Sequence, residues 1–129
     1  MPIASYFKRD KVQVLEQGAT TLYVKLTVGA TGAVSAKTGY GMANVARNSA
    51  GNYTITLDRK FKKLLDVSDT VIQATPQGLK MTVKANNIAS AGAVQIEYNT
   101  DGGVATELSI GTIVLFAITV ADTSLAGGV

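Results

Sequence analysis

Four cations stand within five residues at Arg59, Lys60, Lys62 and Lys63, with Phe61 between them. Such a run can hold phosphate groups or an acidic protein patch by charge attraction. The same spacing has a plainer reading. Asp58 can cap a first turn, and Phe61, Leu64 and Leu65 then fall at i, i+3 and i+4 on one face. That spacing predicts one short helix near residues 59–65 with the cations on its wetted side. Nucleic acid is not an expected partner, because 12 basic against 9 acidic residues leave a net charge of only +3, and aromatics are 6% of the chain. Tyr6, Phe7, Lys8 and Arg9, followed by Asp10 and Lys11, form a second aromatic and basic cluster ahead of the first strand. It reads either as an arm that docks on a neighbour by strand addition or as a first strand sealing its own sheet.

The remaining residue types narrow the chemistry. Cysteine, histidine and tryptophan are all absent, which removes thiolate nucleophiles, disulfides, imidazole bases and the commonest transition-metal ligands. Serine and threonine are plentiful, yet no histidine or motif lysine marks one as an activated nucleophile. The acids Asp58, Asp66, Asp69, Glu97, Asp101, Glu107 and Asp122 are scattered. Only Asp66 and Asp69 are close, without the alternating oxygen ligands and central glycine of a calcium loop. Gly29-Ala30-Thr31-Gly32 and Gly39-Tyr40-Gly41 read as turns, since neither joins a strand to a phosphate-binding helix. No enzyme, no cofactor and no metal site are expected.

The elements that carry these residues follow from strict alternation of apolar and polar side chains, the mark of half-buried strands. Leu22, Val24, Leu26 and Val28 oppose Tyr23, Lys25 and Thr27. Tyr53, Ile55 and Leu57 oppose Asn52, Thr54 and Thr56, and Asn48-Ser49-Ala50-Gly51 joins this run to a strand over Met42–Arg47 as a hairpin. Met81, Val83 and Ala85 oppose Lys80, Thr82 and Lys84, while Val94, Ile96 and Tyr98 oppose Gln95, Glu97 and Asn99. Pro76-Gln77-Gly78 and Asn99-Thr100-Asp101-Gly102-Gly103 supply turns. The last run, Gly111 to Val120, is apolar on both sides: Ile113, Leu115 and Ala117 face one way and Val114, Phe116 and Ile118 the other. Such a strand is central in a sheet or covered by a partner, which makes Val114, Phe116 and Ile118 candidate contact residues.

Strands at roughly ten-residue spacing without βαβ alternation predict one all-β domain over residues 1–129, an antiparallel β-sandwich or jelly-roll-like barrel. An N-terminal arm of about residues 1–10 and a loose tail of about 123–129 complete the expected layout. With 47% hydrophobic but only 16% charged residues and a mean hydropathy of +0.22, few charges remain to wet the surface. The longest apolar run, Ile113 to Ile118, is too short to span a membrane, so part of the apolar surface is expected to be covered by other subunits. The start, Met1-Pro2-Ile3-Ala4-Ser5-Tyr6, lacks the pattern of a secretory signal.

The order of segments resembles small virion structural proteins of tailed bacteriophages, of the capsid decoration or cement type. The likeness rests on three stretches: Ala4 to Val12, Arg47 to Asp58 running into Phe61–Leu65, and Gly111 to Ile118. It is one of layout, spanning most of the chain. The resemblance implies a non-enzymatic β-sandwich, often trimeric, made in the host cytoplasm and seated on the capsid surface, with the major capsid protein as its partner. A tail, fibre or head-closure component shares this composition. A β-sandwich module for glycans or small ligands is the alternative from another class.

Overall fold

A computed structural model describes residues 19–121. Eight strands form two antiparallel four-stranded sheets packed face to face, which is the sandwich of the two expected architectures. The strands are β1 (Ala19–Val28), β2 (Val34–Gly39), β3 (Met42–Ser49), β4 (Asn52–Leu57), β5 (Lys63–Ile72), β6 (Lys80–Asn87), β7 (Ala93–Asn99) and β8 (Ile113–Ala121). The first sheet runs β2-β1-β8-β5 and the second β3-β4-β7-β6. A short helix α1 (Ile88–Ala91) turns β6 into β7, and a 3-10 turn at Ala30–Gly32 turns β1 into β2.

The alternation read from the sequence becomes the core. Val24, Leu26 and Val28 of β1 and Val114, Phe116, Ile118 and Val120 of β8 meet Tyr53, Ile55 and Leu57 of β4 and Val94, Ile96 and Tyr98 of β7, all buried. The central pairings are regular: β1 lies against β8 from Ala19↔Ala121 to Thr27↔Ile113, and β4 against β7 from Asn52↔Glu97 to Thr56↔Ala93, without a shift. Ala50-Gly51 closes the expected β3–β4 hairpin, with Val45 opposite Ile55. Because side chains alternate with period two, this register sends alternate residues of the central strands β1, β4, β7 and β8 into the core.

Two expectations are corrected. No helix spans residues 59–65; the chain bends at Asp58–Arg59 and enters β5 at Lys63. Its amides bond outside the segment, Phe61 N–H to the Ile88 carbonyl at 3.3 Å and Lys62 N–H to the Ala121 carbonyl at 2.9 Å. An isolated two-turn helix is marginal in water, whereas pairing along the whole of β8 gives β5 a ladder from Lys63↔Ala121 to Ile72↔Ile113, broken only by a bulge at Leu65. Phe61 is buried all the same, with the Arg59 guanidinium 4.1 Å from its ring centroid. The second correction concerns Val114, Phe116 and Ile118. They are core residues, Phe116 being 1% exposed, so their side chains face the opposite sheet and not the outer surface expected of contact residues.

Candidate functional surfaces

With the core accounted for, the side chains that can meet another molecule are those on the two outer faces and the connecting loops, and the faces differ in chemistry. On the first sheet the register sets five rows across β2, β1, β8 and β5. They read Ala36–Thr27–Ile113–Ile72, Thr38–Lys25–Leu115–Thr70, Tyr23–Ala117–Ser68, Thr21–Thr119–Asp66 and, at the end of the sheet, Ala19–Ala121–Lys63. Lys25, Asp66 and Lys63 are the charged members of these rows. Tyr23 is 69% exposed and Leu115 41%. Thr21 and Thr119 share a hydroxyl hydrogen bond of 3.0 Å across the strands. At the β2 edge a notch of about 350 Å³ lies between Tyr23, Lys25, Thr38, Gly39 and Leu115. A second hollow, sharing Thr38 and Gly39, is bounded by Tyr40 in the β2–β3 turn.

The second sheet turns a polar network outward. Asn52 is buried, donates to Glu97 Oε2 at 3.0 Å, and accepts from Asn48 at 2.8 Å and Gln95 at 2.7 Å. Asn99 donates to Glu97 Oε1 at 2.8 Å, with Lys84 Nζ 3.6 Å from the same oxygen. The amide donors of Asn99 and Asn52, aided by the charge of Lys84, hold the Glu97 carboxyl below the usual carboxylate range. Beside it runs an open groove of about 350 Å³ lined by Lys80, Thr82, Lys84, Glu97, Asn99, Thr100 and Asp101. Lys80 Nζ stands 3.3 Å from Asp101 Oδ1 at its rim.

Two tyrosines tie the interior to the loops. Tyr53 O–H donates to the Gly32 carbonyl at 2.5 Å, and burial, with the charge of Glu107 adding, pushes its phenol up to about 12. Tyr98 O–H donates to Asp69 Oδ2 at 2.8 Å; burial first, then this bond, raises its phenol further. Tyr98 also closes a cleft of about 220 Å³ with Val71, Gln73, Pro76, Gly78, Leu79 and Leu108. Gln73 and Gln77 stitch the 73–79 loop to Ser109, Thr112 and the Glu107 carbonyl. Arg47 grips the Glu107 carboxylate through both Nε and Nη2, and Gly51 N–H adds a bond of 3.1 Å. The Arg47 bond chiefly, with the Gly51 amide in support, lowers the Glu107 pKa.

The residues singled out from the sequence fare differently. Arg59, Lys60, Lys62 and Lys63 do lie together, but on the bend between the sheets and the start of β5, with Lys60 and Lys62 exposed. Tyr6, Phe7, Lys8 and Arg9 lie outside the described residues, as do the arm and the tail. Asp66 and Asp69 point to opposite faces of β5, being opposite Thr119 and Phe116, so their carboxylates cannot act as a pair. Among the described residues no three acids gather to hold a metal ion, and no helix there is long and apolar enough to cross a membrane. Tyr23, Tyr40 and Leu115 were not picked out as contacts. Their signal was present, since alternation puts Tyr23 and Leu115 on the faces opposite the Leu22–Val28 and Val114–Ile118 sets. Compared with known protein families, curated proteins and solved structures, the chain matches none of them.

Proposed function

We propose that this chain is a non-enzymatic structural subunit of a bacteriophage virion, a capsid decoration or cement protein that binds the major capsid protein lattice and stabilises the head. The observation that carries the reading is the outer face of the first sheet. It is four strands wide with Tyr23, Leu115, Ile113 and Ile72 among small and hydroxyl side chains and charge limited to Lys25, Asp66 and, at its end, Lys63. A surface of this kind is stable in water only at a cost and gains by being covered. Contacts to the lattice fall to the basic bend of Arg59, Lys60, Lys62 and Lys63 and to Tyr6, Phe7, Lys8 and Arg9. A tail, fibre or head-closure position uses the same surfaces.

The test is on particles. Purified virions from cells carrying this sequence should contain the chain in many copies by mass spectrometry, with density on the shell by electron microscopy; particles lacking it would end the proposal. Reversing Lys60, Lys62 and Lys63 to Glu in those virions should release the protein at lower salt, because contacts made by charge weaken as ions screen them.

A second reading, a glycan-binding module, is favoured by the groove on the second sheet, whose hydrogen-bonding side chains are held in place by the Glu97 network. No aromatic ring lines that groove to stack on a sugar. Binding to a glycan panel that is lost in Glu97→Gln would establish it.

A further inference from the structure

We propose that the outer face of the β2-β1-β8-β5 sheet docks on the same face of a second copy of this chain, as a two-fold pair in which Tyr40 of each copy seats in the notch of the other. Three observations carry it. The first is a projection beside a matching hollow. Tyr40 is 94% exposed in the β2–β3 turn. The notch between Tyr23, Thr38, Gly39 and Leu115 exposes almost only carbon, and the two hollows share Thr38 and Gly39. A projection and a hollow carried side by side on one surface are what an isologous interface needs, because the two-fold axis satisfies both contacts at once. Gly39 lines the notch where β2 lies close against β1: a Cβ there would stand 2.6 Å from the Tyr23 carbonyl oxygen.

The second observation is charge. Lys25, Lys63 and Asp66 leave the face with a net charge of only +1, so a copy of itself is weakly repelled at most. The outer face of the second sheet, with Lys80, Lys84, Glu97 and its bonded amides, would lose hydration from each of those groups if it were covered. The third is area. Four strands at about 4.8 Å and some nine residues at about 3.3 Å make a face of roughly 550 Å² per copy. Paired, that approaches the lower bound of about 1,200 Å² for a specific interface, and Tyr40 extends the contact. An area at that lower bound suits a weak pair that a lattice of many copies would reinforce. The pair is two-fold, where the resemblance to decoration proteins implies three, because a face that carries both the projection and the hollow closes on one partner.

This inference deepens the assembly reading and rests on it, in that the chain is taken to act as one of many copies. The two fail separately. A chain present on virions but monomeric in solution loses the pairing alone, and a chain that pairs but is missing from virions loses the virion reading alone. Sedimentation equilibrium of the full chain up to roughly 100 μM should give a mass rising toward twice 13.4 kDa. Leu115→Glu and Tyr40→Ser should each raise the dissociation constant at least about tenfold, while Thr82→Glu on the second sheet leaves it unchanged. Circular dichroism checks that each variant keeps its sheets; Tyr40 lies on a turn and takes no part in the core. A wild-type chain that stays monomeric, a mass that settles at three copies, or a pair that survives both substitutions or is broken by Thr82→Glu would overturn the proposal.

Discussion

Tyr53 and Tyr98 each bury a phenol ring in the core and let the hydroxyl out through one hydrogen bond, to Gly32 and to Asp69. Tyr53→Phe keeps the ring but strands the Gly32 carbonyl, and urea titration should record a loss of about 1–3 kcal/mol. Both phenols are raised in the folded state, so the neutral forms are the ones folding favours. The stability they contribute is complete below the ordinary tyrosine value of 10.0 and is lost as pH climbs through about 12 for Tyr53. Tyrosinate absorbance from these two residues should therefore grow in step with the loss of the sheet signal in alkali, not ahead of it. Glycines separate two costs in the same way. Gly51 has φ +66° and a Cβ there would stand 2.3 Å from the Thr106 carbonyl oxygen, whereas Gly78 has φ +68° with open space around it. Gly78→Ala should cost about 1–2 kcal/mol from the left-handed backbone alone, and Gly51→Ala more, because the loop across from it must also move.

At the scale of the elements, β8 shows how far a sequence pattern reaches. Two apolar faces in Ile113–Ile118 announced a central strand, and β8 does lie between β1 and β5. Hydropathy alone does not say which face meets the opposite sheet; only pairing with β1 and β5 does. Phe116→Ala should cost about 3–5 kcal/mol in chemical denaturation, as large-to-small changes in a core do. Leu115→Ala, one residue away and facing outward, should cost well under half of that. The strands β1, β4 and β7 were legible because their inner residues are all aliphatic or aromatic. β5 was not, because Asp69 occupies an inward position opposite Phe116, where it accepts the Tyr98 hydroxyl. That single polar residue interrupts the alternation and leaves Phe61, Leu64 and Leu65 looking helical. β2 was missed for another reason: Val34–Gly39 is exposed along nearly its whole length and is held by its ladder to β1 rather than by burial. The Asn52–Glu97 network was hidden too, since Asn52 and Glu97 are far apart in sequence and meet only through the β4–β7 register.

At the scale of the whole molecule the chain changes sheets four times, between β2 and β3, β4 and β5, β5 and β6, and β7 and β8. Its longest-range pairing, β1 with β8, joins the two ends of the described chain. Loop closure must be met before such pairings stabilise anything, so stopped-flow refolding should fall in the slow range of about milliseconds to seconds known for β-sandwiches. A microsecond phase accounting for the full amplitude would contradict this topology. Ala19 and Ala121 are register partners on neighbouring strands, which places their Cα atoms about 5 Å apart. A linker of a few residues can therefore weld residue 121 to residue 19, and the ring so made can be cut open at Gly78, where nothing lies within 4 Å of an added Cβ. Such a circular permutant keeps every ladder of both sheets while its ends emerge at a different loop, so a tag or cargo can be moved about the sandwich without touching a strand.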